Sequence, residues 1–179
     1  MCENAVATAA VLMQAIEPTL VNLLTVLGIA DTPDGKTAIA AFDAALNAVK
    51  NWTPGTGPQD VIQVIDAFVE VFDTLPIPTD AKALADVIAA GITTVIGVLT
   101  ANSPSSGTFS TEEHQNMVIR DTTSKIVALV PGFKLSLWDR GRIALGDREI
   151  VASEYKNHWN ATVASVSVAN SKYSILALV

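Results

Sequence analysis

Apolar or small residues recur at Ala152, Tyr155, Trp159, Thr162, Val166, Ala169, Tyr173 and Leu176, with spacings that alternate three and four. That rhythm lines one stripe along one side of an α-helix and predicts a long helix over residues 147–176, with Asp147 as its cap. A hairpin is the competing reading, with "TVASVSV" turning at "ANSK" into "YSILALV", because β-branched residues are plentiful. Eight consecutive matches outweigh two short alternating runs, so the helix is preferred.

The first hundred residues carry the same helical period between well-marked breaks. Residues 4–29 are helical in composition, and Pro18 either kinks this segment or opens a second helix at its first turn. Gly28 offers a C-terminal cap, and "ADTPDGK" follows as a loop. Ile39, Phe42, Leu46 and Val49 predict a helix from about Thr37 to Trp52. After "TPGTGP", Pro58 opens a helix that buries Val61, Ile65, Phe68 and Phe72 or Leu75. Thr79 or Asp80 can cap a fourth helix over about 80–101, which has no charge after Asp86.

Beyond "ANSPSSGT" the signal weakens. Ser110 with Glu113 forms a capping box that opens a helix at about 111. "NMVI" and "KIVALV" flank the poor helix material "RDTTSK", so a short β-hairpin within 116–150 competes with helix there. The predicted architecture is mainly α. An acidic Ala/Val/Leu-rich bundle of four to five helices fills 1–102, 103–108 is a linker, and 109–179 is a mixed segment with the long helix.

Composition changes this picture in one respect. Half of the chain is apolar, 6% is aromatic and 16% is charged, against about 25% charged in ordinary soluble domains. So little charge suggests that some apolar surface faces a partner subunit or a membrane. The net charge of −7 is uneven: residues 1–105 hold eleven acids and three lysines (−8), and 106–179 hold seven acids against eight bases (+1). An acidic half without any basic run argues against nucleic-acid binding. Cys2 is the only cysteine, which excludes an internal disulfide. "MCENAVATAA" places an acid where a secretory signal needs positive charge, so the default location is cytoplasmic or particle-associated.

Candidate chemistry is sparse. "SEYKNHW" sets Glu154 and His158 four apart, and His114 is the only other histidine. A catalytic zinc takes three protein ligands, so His114, Glu154 and His158 are the candidates if a metal binds at all. The bland alternative, a polar helix edge with an i,i+4 pair, is preferred, and no cofactor motif is present. "WDRGR" supplies Trp138, Arg140 and Arg142, which with Tyr155 and Trp159 have the composition of interface anchors. Residues 87–101 are uncharged but fall short of the ~20 residues that span a bilayer.

The expectation is therefore a non-enzymatic structural or interaction protein. Its partner is another protein or itself, in a homo-oligomer or a larger assembly such as a phage or virus particle. A membrane-associated or membrane-inserting helical protein is the first alternative. A metal-dependent enzyme using His114 and His158 is the second.

Overall fold

The computed structural model describes residues 2–53, 57–104, 107–131 and 148–179, and every regular element among them is helical. Six α-helices lie in these residues: α1 (Cys2–Val26), α2 (Pro33–Asn51), α3 (Gln59–Asp73), α4 (Lys82–Ala101), α5 (Thr111–Leu129) and α6 (Arg148–Ala169). Short 3₁₀ turns occupy Thr79–Ala81, before α4, and Ser171–Leu176, after α6. The mainly helical class read from periodicity is the class observed.

Local chemistry accounts for most boundaries. Gly28 has φ 73°, the left-handed conformation a helix exit needs, and its N–H donates to the Thr25 carbonyl at 3.0 Å. Ser110 and Glu113 close the expected capping box, with reciprocal bonds of 3.2 and 2.8 Å. α2 begins at Pro33, about four residues earlier than periodicity predicts. Thr32 caps it by accepting from the Gly35 N–H at 3.1 Å, and proline stands in the first turn, where its missing donor costs nothing.

Four sequence expectations are corrected. Pro18 does not open a second helix, for α1 runs through it. Pro18 and Gln14 are both exposed, so the carbonyl orphaned by proline faces water. Neither Thr79 nor Asp80 caps α4 through its side chain. Residues 116–129 belong to α5 and form no hairpin, while 132–147, with "WDRGR" and the proposed cap Asp147, lie outside the described residues. The long C-terminal helix ends at Ala169 rather than at 176.

That last break has a physical cause. Asn170 turns the chain with φ −145° and ψ 102°, its Oδ1 accepting from the Lys172 N–H at 3.2 Å. Such side-chain bonds compete with continued helix. The 3₁₀ turn then folds back on α6 and α1 and buries Tyr173 and Leu176. It also brings the Leu176 carbonyl 2.8 Å from the buried Trp159 Nε1, a donor that would otherwise have no acceptor inside the core.

α4 lies at the centre and packs against α1, α3, α5 and α6. It has no charge from Val87 to Ala101, as suits a helix enclosed by neighbours on most of its surface, with Thr93, Ile96 and Thr100 left half-buried. Gly91 allows that enclosure. A Cβ there would fall 2.8 Å from both Ile16 and Tyr155, so α1 and α6 approach α4 only because the side chain is absent. Gly97 does the same for Thr122 of α5, at 2.6 Å. α2 and α3 pair through Phe42 and Phe68, edge to face with centroids 5.2 Å apart. One apolar core joins Leu12, Phe42, Ile88 and Trp159, and so includes residues on both sides of 103–108.

Tyr155 fastens α6 to α1. Its hydroxyl lies 2.6 Å from Thr19 Oγ1, and the threonine hydrogen is committed to the Ile16 carbonyl at 2.6 Å. The phenol is therefore the donor, and burial pushes its pKa up, which keeps it protonated. Replacing Trp159 by alanine should destabilise the chain by about 3–5 kcal/mol through the cavity and the orphaned Leu176 carbonyl. Val168→Ala, at an 89% exposed site, should stay within about 0.5 kcal/mol. Urea unfolding followed by circular dichroism measures both.

Candidate interaction site

The two histidines do not meet. His114, in the first turn of α5, sets Nε2 3.0 Å from the Thr100 carbonyl near the end of α4. It lines a groove of about 600 Å³ with Asp66 of α3, Ile96 and Gly97 of α4, and Met117 of α5. His158 lines a different cavity of about 300 Å³, with Asp86, Leu129, Pro131 and Ser165. Glu154 keeps to the flank of α6, where its Oε1 accepts from Asn157 Nδ2 at 3.3 Å. Among the described residues no three His, Cys, Asp or Glu side chains converge as metal ligands would.

Beside the smaller cavity the His158 side chain is half-buried. Desolvation holds the His158 pKa below 6.5, although the Glu154 carboxylate pulls it upward. Asp86 faces the same cavity but is bound to Lys82 Nζ at 2.9 Å, one turn away. The Thr162 hydroxyl donates to the His158 carbonyl at 2.8 Å and so is not poised against the imidazole. These groups have the types of an acid–base–nucleophile set, but Asp86 and Thr162 each bond along their own helix.

The predicted interface anchors divide. Tyr155 and Trp159 are 1% and 0% exposed, so they belong to the core of a single copy and are closed to a partner. The buried face of α6 is Val151, Tyr155, Trp159 and Val163, which shares Tyr155 and Trp159 with the predicted stripe, and it packs against α1 and α4 of the same chain. Trp138, Arg140 and Arg142 lie outside the described residues. α4 and its neighbours bury many large aliphatic side chains of the described residues. Among the described residues Phe109, Met117, Val127, Val168, Ile175 and Val179 are the large apolar side chains left exposed.

Two features went unread in the sequence. The first is the groove between α3 and α5 with α4 as its floor. α5 packs on α4 through Val118, Ile119, Thr122 and Ile126, and Ala101 with Val118 and Ile119 forms a small cluster apart from the main core. Its groove-facing stripe, His114, Met117, Asp121 and Lys125, is polar at three of four positions, so no apolar period announces it. Asp121 and Lys125 pair at 2.7 Å on the open surface, an interaction of small energy.

The second is the seating of residues 170–179. Asn160 holds Leu178 at both backbone positions, its Nδ2 donating to the Leu178 carbonyl at 2.9 Å and its Oδ1 accepting from the Leu178 N–H at 2.7 Å. The Tyr173 hydroxyl donates to Asp80 Oδ1 at 2.7 Å, and Asn170 Nδ2 donates to Asp80 Oδ2 at 3.1 Å. Those bonds hold the Asp80 carboxyl below its usual range, while burial and the carboxylate push the Tyr173 phenol up to about 12. Asp80 is ninety-three residues from Tyr173, which is why its role reads as a helix cap in sequence.

Comparison with protein-family models, with curated proteins and with solved structures finds no match. The reading of the site therefore rests on its own geometry.

A histidine whose folded pKa lies below the unfolded one destabilises the fold when it must charge, so its effect is absent above pH 6.5 and grows as pH falls. Wild type and a His158→Gln variant should therefore show parallel urea stabilities at about pH 7.5, with wild type losing ground at about pH 5.5. Equal losses in both proteins would place the imidazole in water.

Proposed function

We propose that this chain is a non-enzymatic interaction protein, a subunit that holds further copies of itself or the components of a larger assembly. The supporting observation is the groove of about 600 Å³ between α3 and α5. Its floor is the uncharged part of α4, its α5 wall presents Met117 at 49% exposure, and Asp66, His114, Asp121 and Lys125 stand around that apolar surface. Concave, largely apolar surfaces of this kind suit a helix or an apolar side chain of another protein. Methionine adapts to such contacts because it is flexible and polarisable. A phage or virus particle is one assembly that would employ a weakly charged, alanine- and valine-rich helical subunit.

Membrane association is the second reading, favoured by one observation. Asn4–Val26 and Thr79–Ala101 are each 23 residues and apolar enough to cross a bilayer, although the uncharged run 87–101 alone is too short. Against it stands the burial of 67% of the second segment inside the fold. Insertion would require α4 to leave the core that the other helices form around it.

Light scattering separates the two readings. The assembly reading predicts a mass that is a multiple of 18.8 kDa without detergent. A Met117→Glu variant, which sets a charge beside Asp66 and Asp121, should move that mass toward a single copy while its helical circular dichroism stays the same. A constant 18.8 kDa across a concentration series would overturn self-assembly, and transfer into detergent micelles would favour the membrane reading.

A further inference from the structure

We infer that the surface of α6, α1 and the Thr79–Ala81 turn that seats residues 173–178 is a peptide-binding site, and that a second copy's own 173–178 segment is the ligand it takes in an assembly. This rests on the assembly reading and adds to it the surface and the occupant.

The contacts that complete the core here are of kinds that peptide recognition also uses. Asn160 reads the backbone of Leu178 at its N–H and its carbonyl, and the Trp159 indole reads the carbonyl of Leu176. Tyr173 and Leu176 enter the core at 0% and 1% exposure, and Asp80 fixes the Tyr173 hydroxyl. Main-chain bonds with pockets for spaced side chains give a site that selects Tyr-x-x-Leu-x-Leu. None of these contacts depends on which copy supplies the segment, and that is the condition for exchange between copies.

A hinge for such exchange is present. The segment leaves α6 through Asn170 alone, yet the helical stripe of α6 continues in register through Tyr173 and Leu176. The sequence therefore supports a second conformation in which α6 runs on through residue 176. At 1.5 Å per residue, six more helical residues would carry the segment roughly 9 Å beyond Asn170, away from Asn160 and Asp80. The site would stand empty, and the apolar segment would project toward a neighbour. Val168 and Ile175, 89% and 75% exposed, flank this hinge and have no cover in a single copy. An exchanged pair would bring a second set of the same side chains beside them. In dilute solution the segment closes on its own chain, because tethering holds it at an effective concentration of about millimolar.

The test uses two full-length variants. One carries Asp80→Lys with Asn160→Ala, which disables the site and leaves the segment intact. The other carries Tyr173→Asp with Leu176→Asp, which disables the segment and leaves the site intact. Each should be a single copy by light scattering, and the mixture should form a one-to-one complex. Two monomers that stay apart in the mixture, both with helical circular dichroism, would overturn the inference.

Asn170→Ala serves as a milder variant that keeps the core. It removes the bonds to Asp80 and Lys172 and favours helix at the hinge, so the dimer should appear at about tenfold lower concentration than in wild type. An unchanged concentration dependence counts against the hinge. If wild type is oligomeric and neither experiment alters it, this inference fails and the assembly reading stands. If wild type stays monomeric while the mixed variants pair, the site is supported and the self-assembly reading fails.

Discussion

The whole fold depends on one helix that cannot face water. α4 has no charged residue between Val87 and Ala101, so burial of most of its surface is strongly favoured. α1, α3, α5 and α6 are arranged around it, and Gly91 and Gly97 set how closely α1, α6 and α5 approach. A central apolar helix absorbs aliphatic residues from its neighbours as well as supplying its own. This is how a chain with only 16% charged residues leaves few large apolar side chains exposed among its described residues.

Enclosing so much of the chain makes each interior polar atom costly unless it is paired. Tyr155 and Thr19 solve this between α6 and α1, and the donor direction follows because the threonine hydrogen is already spent on Ile16. Trp159 is satisfied only when residues 171–176 fold back to offer a carbonyl. The return of the chain after Asn170 therefore completes the core rather than decorating it. Tyr173 and Asp80 then tie the same segment to the start of α4.

The candidate sites follow from where this core stops. α5 is fixed to α4 along one face, and the gap it leaves beside α3 is the larger groove. His158 occupies a smaller cavity where α4, the end of α5 and α6 meet, and partial burial there disfavours its charged form. The polar groups beside the two cavities are held separately: His114 reaches across to the Thr100 carbonyl of α4, and Asp86 pairs with Lys82 on its own helix.

Much of the fold was legible in the chain before any coordinates. Periodicity located Phe42, Leu46, Val49, Val61, Ile65, Phe68 and Phe72 in the core, and Ser110 with Glu113 marked the start of α5. The same stripe logic correctly aligned Tyr155 with Trp159 and then ran too far, through Asn170 to Leu176. Periodicity records which side chains share a face, and it is blind to a buried indole that needs a distant carbonyl.

What the sequence by itself determined is the helical class, most breaks and the inward stripes, since these depend on neighbours three or four residues away. The tertiary structure alone decided what each stripe faces. It turned Tyr155 and Trp159 inward to α1 and α4, gave Asp80 to Tyr173 instead of to a helix end, and sent the two histidines to separate cavities. Those outcomes depend on groups far apart along the chain, whose pairing is settled only when the competing ways to bury α4 are compared in three dimensions.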